Sequence, residues 1–291
     1  MNILITGCNG QLGNEMRLGM SLHDSHRYFL TDVTAEDPAM RLDITAKEAV
    51  EAFVAEHQIE LIVNCAAYTN VDKAEEDEPT ARLINCDAVC NLAEAAAKFG
   101  AKMIHVSTDY VFDGKGCVPY NEADPVSPAT AYGRTKREGE EVLLATLPDA
   151  VIIRTAWLYS TFGNNFVKTM IRLGQERDQL NVVFDQVGSP TFARDLAAAI
   201  YAVLEADDWH AGIYHFTNEG VCSWFDFTLA IHELTGITNC RVSPILSEEY
   251  CYKTPRPHYS VLDKSKFKKT FNVTIPYWMD GLKRCVTLLD F

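Results

Sequence analysis

Tyr132 and Lys136 lie four residues apart in the segment "AYGRTKREGEEVLL", whose charge and spacing predict an α-helix. Side chains at positions i and i+4 emerge on one face of a helix, so the ammonium of Lys136 can lie beside the phenol of Tyr132. A neighbouring cation lowers the pKa of a tyrosine from its ordinary value of about 10. We therefore expect the pair to donate a proton to a developing oxyanion, although this spacing alone is also typical of a solvated helix face.

A further hydroxyl follows the apolar run "KMIHV", which predicts a buried strand. Thr108 and Asp109 stand where this strand ends. If the end faces a cleft, the hydroxyl of Thr108 can polarise the carbonyl that Tyr132 protonates. The alternative is a strand end that its polar residues merely cap.

A glycine-rich turn joins the first predicted strand, "MNILIT", to a predicted helix. Gly7, Gly10 and Gly13 are spaced for a tight turn, a close approach of backbone to a diphosphate, and close packing of helix on strand. Asp32 closes the second predicted strand, where a carboxylate accepts hydrogen bonds from the adenosine ribose of a dinucleotide. The carboxylate of Asp32 favours NADH as the cofactor, while Arg27 and Arg41 are close enough in sequence that NADPH is not excluded.

The elements that would position these residues alternate between apolar strands and amphipathic helices as far as about residue 158. This alternation predicts an α/β fold with a doubly wound parallel sheet of the Rossmann type. We predict an NAD(P)-binding domain over residues 1–158, with residues 180–206 returning to it. Residues 159–291 are predicted to form mostly a smaller substrate-binding region.

Composition excludes several classes of partner. The net charge of −14 argues against nucleic acid, which needs clustered lysine and arginine. The sequence contains no apolar run long enough to span a membrane and does not begin with a signal peptide. The nine cysteines are an odd number without metal-site spacing and are interpreted as reduced thiols, which predicts a cytoplasmic chain.

The segments "TGCNGQLG", "NCAAYTNVDKAE", "VSTDYVFDG", "AYGRTK", "RTAWLY" and "GSPT" together resemble the extended short-chain dehydrogenase/reductases, within them the reductases of 4-keto sugar nucleotides. The resemblance runs over nearly the whole chain. It implies reduction of the 4-keto group of dTDP-4-dehydro-L-rhamnose to dTDP-L-rhamnose by NADPH or NADH. The product would serve the synthesis of surface polysaccharide.

The same resemblance implies roles for residues at matching positions. Tyr132 would protonate the substrate oxygen, Thr108 would bond to it, and Lys136 would hold the nicotinamide ribose. Substrate contacts fall on Thr108, Asp109, Trp157 and Arg256. Cofactor contacts fall on Gly7, Gly10, Gln11, Leu12, Gly13, Asp32, Asp43, Ile44, Ala66, Ala67, Thr69, Tyr132 and Lys136.

Some of these residues have a structural alternative. Asp43 precedes a predicted helix, so it is equally expected to be an N-cap. In the family a magnesium ion can lie at a homodimer interface, with one ligand matching Glu15, yet a first-turn acid is also favoured by the helix dipole. His258 and Tyr259 depart from the family's usual Asn-Ser, which leaves substrate contacts near Arg256 open.

Two other functions fit parts of the sequence. One is a different nucleotide-sugar reductase, dehydratase or epimerase. Dehydratases of this type resemble each other in an Asp-Glu pair after the strand-end threonine, whereas here Asp109 is followed by Tyr110, which favours reduction. The other is a non-catalytic NADP-binding subunit that resembles the regulatory subunit of methionine adenosyltransferase. Retention of Thr108, Tyr132 and Lys136 together favours an enzyme.

Overall fold

The computed structural model describes residues 1–289. Twelve strands lie in this part of the chain: β1 (Asn2–Thr6), β2 (Arg27–Thr31), β3 (Leu61–Asn64), β4 (Lys102–Thr108), β5 (Val151–Thr155), β6 (Leu158–Tyr159), β7 (Gln179–Val183), β8 (Val187–Gly188), β9 (Thr191–Phe192), β10 (Gly212–His215), β11 (Cys222–Ser223) and β12 (Arg241–Ile245).

Eleven α-helices connect or flank these strands in the same residues: α1 (Gln11–Gly19), α2 (Lys47–Glu56), α3 (Val71–Glu76), α4 (Glu78–Arg82), α5 (Ala88–Phe99), α6 (Ala131–Thr146), α7 (Phe166–Glu176), α8 (Ala193–Leu204), α9 (Trp224–Thr235), α10 (Ser265–Phe271) and α11 (Trp278–Thr287). None of the helices in residues 1–289 combines the length and the apolar character of a membrane span.

Six strands form one sheet in the order β10-β5-β4-β3-β1-β2, and every neighbouring pair is parallel. The strands are nearly continuous runs of buried apolar residues because helices cover both faces. On one face α1 and α8 pack beside α10, and on the other α2, α5 and α6 pack together. The predicted α/β fold with a doubly wound parallel sheet is confirmed.

A smaller apolar cluster lies in the C-terminal part of the chain. It joins α7, α9 and α11 to β7 and β12, which form a separate parallel pair. The chain returns from this region to the large sheet twice, because α8 packs on α1 and β10 pairs with β5. The boundaries predicted at residues 158 and 180–206 remain a prediction.

Two predicted elements are interrupted in the structure. The run "AVIIRTAWLY" predicts one strand, but the chain turns at Trp157, whose φ of 50° lies in the left-handed region, so β5 ends at Thr155. The run "PTARLINCDAVCNLAEAAAKFG" predicts one helix, yet residues 83–87 form a turn of π-helix between α4 and α5. Such turns are frequent at functional sites.

Candidate active site

The carboxyl ends of the central strands bring most of the predicted residues to one edge of the sheet. Thr6 at the end of β1 pairs in register with Thr31 of β2 and with Asn64 of β3. Thr108 at the end of β4 pairs with Thr155 of β5. Ligands of open α/β sheets bind at this edge, where the strand order reverses.

The glycine turn after β1 is built for a close approach of backbone groups. Gly7 adopts a φ of +66°, which favours glycine. A Cβ on Gly13 would lie 2.3 Å from the carbonyl oxygen of Gly7, so only glycine lets α1 start against the strand. Within the described residues no side chain caps the N-terminus of α1 at Gly10. Its first backbone N–H groups therefore suit the diphosphate of a dinucleotide.

Asp32 lies directly after β2 and is half-buried. Its Oδ1 accepts hydrogen bonds from the backbone and hydroxyl of Thr34 at 2.9 and 2.6 Å, and its Oδ2 accepts one from the backbone N–H of Asn9 at 3.2 Å. A carboxylate oxygen accepts more than one bond, so Oδ2 can still take a ribose hydroxyl. The guanidinium of Arg41 donates to the carbonyl of Ala35, whereas Arg17, which sequence reasoning missed, reaches the glycine turn at Cys8 and Asn9.

The other predicted cofactor residues surround this turn with different exposures. Leu12 and Ile44 are buried, Ala66 and Ala67 are half-buried, and Thr69 is exposed. The amide of Asn165 donates to Oε1 of Gln11 at 3.0 Å.

Asp43 accepts hydrogen bonds from the backbone and hydroxyl of Thr45 at 2.9 and 2.7 Å. The N-cap of α2 is Ala46, so the predicted capping role of Asp43 is wrong. Its carboxylate orders the turn before the helix instead.

Thr108 and Tyr132 come together where β4 meets α6. The hydroxyl of Thr108 donates to Oδ1 of Asp109 at 3.0 Å and accepts from the backbone N–H of Tyr110 at 3.2 Å. Thr130 caps α6 by accepting from the N–H of Gly133 at 3.1 Å. A cap that fixes the helix start also fixes Tyr132 in its first turn.

Lys136 is buried one turn further along α6, and its Nζ donates to the carbonyl of Val106 at 2.8 Å. Burial lowers its pKa to about 8, and Glu140 acts in the opposite direction. Burial raises the pKa of Tyr132 to about 12, which a hydrogen bond with Thr108 opposes. The expected lowering of the Tyr132 pKa by Lys136 is not seen here, because Nζ of Lys136 is hydrogen-bonded to the carbonyl of Val106 and burial of the phenol dominates.

Asp109 is buried, and its Oδ2 has no hydrogen-bond partner among residues 1–289. Burial raises its pKa to about 7, against the stabilising bond from Thr108. The carboxyl is therefore protonated in a large fraction of molecules at neutral pH. It can act either as an acceptor or as a donor beside Thr108.

Sequence reasoning missed the polar residues that support this site from behind. Asn64 and His105 lie side by side on β3 and β4, with Asn64 Nδ2 3.0 Å from His105 Nδ1. Asn85 in the π-helical turn binds both backbone groups of Tyr68 and donates to the hydroxyl of Thr135. The detectable signal is a polar residue inside an apolar strand, as in "VNCAAY" and "KMIHVST".

The two remaining predicted substrate residues, Trp157 and Arg256, make different contacts. The indole of Trp157 stacks on Trp224 with ring centroids 3.4 Å apart, and a Cβ on Gly188 would lie 2.7 Å from it. Arg256 forms an ion pair with Asp72 at 2.8 Å. Burial raises the pKa of the Tyr110 phenol, and the charge of Arg256 opposes this rise.

Arg256 and His258 also line a cavity of about 490 Å³ with Asp185, Gln186 and Tyr252. At His258 and Tyr259, where the sequence differs from the family's usual Asn-Ser, hydrogen bonds still hold the chain in place. Nδ1 of His258 lies 3.2 Å from the carbonyl of Asp185, and the backbone of Tyr259 donates to Gly114.

Glu15 does not fit a magnesium site contained in one chain. Its Oε1 accepts from Ser160 at 2.7 Å and its Oε2 from Arg194 at 2.9 Å, so both oxygens of this buried carboxylate are engaged. Over the described residues no three histidine, cysteine, aspartate or glutamate side chains are grouped to hold a metal ion.

Known proteins resemble this chain over nearly its whole length. Curated dTDP-4-dehydrorhamnose reductase from Aggregatibacter actinomycetemcomitans is 40% identical over 290 residues, which cover 97% of each chain. The crystal structure of a dTDP-4-dehydrorhamnose reductase from Clostridium acetobutylicum is 44% identical, covers 99% of both chains and has a TM-score of 0.92. The Bacillus anthracis enzyme of the same name, in complex with NADP, is 37% identical, covers 98% of both chains and has a TM-score of 0.91.

The family model described as the RmlD substrate binding domain matches residues 1–291. The extended short-chain dehydrogenase/reductase resemblance that the motifs indicate is confirmed by this match and by relatives at about 40% identity. The chain belongs to the RmlD substrate binding domain family.

Proposed function

We propose that this chain is an NAD(P)H-dependent oxidoreductase that reduces the 4-keto group of dTDP-4-dehydro-L-rhamnose to give dTDP-L-rhamnose for surface polysaccharide. The observation that carries the proposal is the meeting of Thr108 and Tyr132 at the carboxyl edge of the sheet, beside the glycine turn. The full-length similarity to dTDP-4-dehydrorhamnose reductases supports the choice of sugar.

Tyr132 gives its proton to the oxygen that develops charge at C4. When bound, NAD(P)H supplies the hydride to that carbon. A pKa of about 12 keeps the phenol protonated at neutral pH, and a sugar alkoxide is a stronger base than the resulting phenolate, so the transfer is favourable. Thr108 holds the same substrate oxygen by a hydrogen bond and so fixes its position during the transfer.

The remaining predicted residues bind the two ligands. Helix α1 and the glycine turn hold the diphosphate of the cofactor, Asp32 holds the adenosine ribose, and Lys136 holds the nicotinamide ribose. Arg17 is a cation at the same turn and is compatible with the 2′-phosphate of NADPH. Trp157 and Asp109 contact the sugar, and Arg256 offsets the diphosphate of the substrate.

Dehydration or epimerisation of a related sugar nucleotide is less well supported. Position 110 carries tyrosine where dehydratases have glutamate, and the ring of Tyr110 packs against Tyr132 with centroids 5.4 Å apart. A buried phenol with a raised pKa is a poor base for removing the proton next to a ketone. Reduction needs no such base.

Three further expectations accompany this function. A homodimer stays a prediction from the family, and so does a magnesium ion shared between its subunits. A cytoplasmic location is supported by the nine cysteines, all of which are free thiols.

The test is to mix the purified chain with dTDP-4-dehydro-L-rhamnose and either NADPH or NADH. We expect loss of the absorbance of the reduced nicotinamide together with one equivalent of dTDP-L-rhamnose, identified by chromatography against a standard. Cofactor binding without turnover of this sugar would favour the regulatory-subunit alternative. Turnover only of another 4-keto sugar nucleotide would favour a related reductase.

A further inference from the structure

A chain of buried hydrogen bonds runs from β1 to Lys136. The hydroxyl of Thr6 donates to Oδ1 of Asn64 at 2.6 Å, and the backbone N–H of Ala66 donates to the same oxygen at 3.1 Å. A backbone N–H can only donate, so the oxygen of the Asn64 amide must face Ala66. The NH₂ group of Asn64 is thereby directed at His105.

This orientation fixes the tautomer of His105. Its Nδ1 lies 3.0 Å from Asn64 Nδ2, which is a donor, so Nδ1 must accept and carry no proton. His105 is fully buried, and this burial holds its pKa well below the ordinary value. The ring is neutral, and its single proton must be on Nε2.

The protonated Nε2 faces Lys136 Nζ at 3.3 Å. An ammonium has no lone pair to accept from an N–H group, whereas a neutral amine accepts from His105 while donating to the carbonyl of Val106. If Lys136 were charged, its N–H group and the Nε2–H group of His105 would both be donors, and they would repel each other. The hydrogen-bond pattern therefore fits the neutral amine.

We propose that Asn64 and His105 are positioning residues for the proposed reaction, on which this inference rests: their hydrogen bonds favour the neutral amine of Lys136, so that the free chain loses the ammonium proton in alkaline solution and regains it when Lys136 binds the ribose hydroxyls of the cofactor. Ribose hydroxyls accept hydrogen bonds from an ammonium and so favour the charged form. Binding of the cofactor then takes up one proton at alkaline pH.

The charged and titratable groups that act on Lys136 from the described elements are few. From β4 the facing group is His105, and from α6 it is Glu140, which opposes the neutral form. Glu140 is itself held by a buried ion pair with Arg154 of β5 at 2.7 Å and by Arg137 at 3.0 Å. Its charge is thus largely compensated, which leaves burial and His105 to favour the amine.

The first experiment measures the dissociation constant of NADH by fluorescence between pH 6 and pH 10. With the Lys136 pKa at about 8, affinity should be about tenfold weaker at pH 9 than at pH 7. In Asn64→Asp a carboxylate oxygen replaces the NH₂ group, so Nδ1 becomes the protonated nitrogen and Nε2 accepts from an ammonium. The loss between pH 7 and pH 9 should then shrink to less than about threefold.

Two variants serve as controls. Lys136→Met should abolish the pH dependence, and Asn181→Asp, which adds a charge on exposed residue 181 of β7, should leave the wild-type dependence unchanged. An Asn64→Asp curve that coincides with the wild-type curve would overturn the proposal, as would a flat wild-type curve.

A second measurement needs no folded variant at position 64. Long-range ¹H–¹⁵N spectra of the wild-type chain, with His105 assigned by its loss in His105→Gln, should show a protonated Nε2 and an unprotonated Nδ1. The reverse tautomer or an imidazolium at pH 7 would also overturn the proposal. If the predicted tautomer and binding curve are found but the sugar is not reduced, only the proposed function fails.

Discussion

Tyr132 keeps its proton at neutral pH, because the ordinary pKa of about 10 is already well above 7 and burial raises it further to about 12. The protonated phenol is the state required of a proton donor. The hydroxyl of Thr108, at the end of β4, opposes this rise in pKa. The proposed reaction therefore depends on placing this phenol against a strong base, the sugar alkoxide, that forms only during hydride transfer.

Replacement of Tyr132 by phenylalanine should separate catalysis from binding. We expect Tyr132→Phe to lower kcat by about two orders of magnitude or more while the dissociation constant of NADPH stays within about twofold. Steady-state kinetics and fluorescence titration measure the two quantities. Tyr214→Phe, which removes a hydroxyl bonded to the carbonyl of His210, is the control and should keep full activity. Undiminished turnover of Tyr132→Phe would remove the assignment.

Asp32 should discriminate between the two nicotinamide cofactors. Its carboxylate can accept from both ribose hydroxyls of NADH, whereas NADPH carries a phosphate at one of them. Asp32→Ala should therefore weaken NADH binding more than NADPH binding, measured as two dissociation constants at one ionic strength. Equal losses would indicate that the residue only orders the loop through Asn9 and Thr34.

Asp109 should make stability depend on pH in an unusual direction. Burial raises its pKa in the folded chain from 3.8 to about 7, so between these values the folded state holds a proton that the unfolded state has released. Stability from this group is fully present below pH 3.8 and is lost as pH rises to about 7. Asp109→Asn should match the wild type near pH 4 and exceed its free energy of unfolding by at most about 4 kcal/mol at pH 8. Urea titrations at both pH values test this, and a smaller gain at pH 8 than at pH 4 would contradict it.

Helix α6 lies very close to its neighbours at two glycines, Gly133 and Gly139. A Cβ on Gly133 would lie 2.3 Å from the carbonyl oxygen of Tyr110, and one on Gly139 would lie 2.0 Å from that of Asn85 in the π-helical turn. Both obstacles are backbone atoms, so an added methyl group must displace the whole helix. The spacing of Tyr132 from Thr108 depends on this close contact.

Gly139→Ala should thus impair both stability and catalysis. Overpacking of this kind costs about 1–3 kcal/mol, and displacement of Tyr132 should lower kcat at least about tenfold. Urea unfolding and steady-state kinetics measure the two effects. Glu141→Ala removes an exposed ion pair with Arg137 on the same helix and should change stability by less than about 0.5 kcal/mol. A stable, fully active Gly139→Ala chain would show that the helix can shift without cost.

The elements could be predicted from sequence where the pattern is local. Helix α6 and the strand that ends at Thr108 follow directly from periodicity, and the three residues proposed to act in the reaction stand in those patterns. The π-helical turn could not be predicted, because its irregular backbone accompanies a contact between Asn85 and Gly139. The same holds for His105, whose partners lie 41 and 31 residues away and meet it only in the folded chain, Asn64 from the neighbouring strand and Lys136 from α6. Trp157 adopts a left-handed conformation where the sequence pattern is extended, and its indole stacks on Trp224, a contact distant in sequence that the local pattern does not contain.

An ion pair between Arg284 of α11 and Asp195 of α8 joins these two helices. Asp195 is buried and accepts from both terminal nitrogens of Arg284, at 2.8 and 2.7 Å, and from the amide of Asn218. Such a bidentate pair has a fixed geometry that other cations do not reproduce. It connects the C-terminal cluster to a helix that packs on the large sheet.

Arg284→Met should lower the free energy of unfolding by about 1–2 kcal/mol, because it leaves the Asp195 carboxylate buried without its cation. Denaturant titration checks this value. Lys283→Met is the matched control, since Lys283 is exposed and lies 3.9 Å from Asp280, and it should change stability by less than about 0.5 kcal/mol. If both variants unfold at the same denaturant concentration, the pair does not hold the two regions together.

Strand β5 gains its outer neighbour, β10, only late in synthesis of the chain. A ribosome releases β5 well before β10, and in that interval the outer edge of β5, with the apolar side chains of Ile152 and Ile153, has no strand beside it. An unpaired apolar edge invites pairing with other nascent chains. Premature termination between the two strands should therefore yield insoluble fragments, and residues 212–215 complete the sheet for the whole molecule at once.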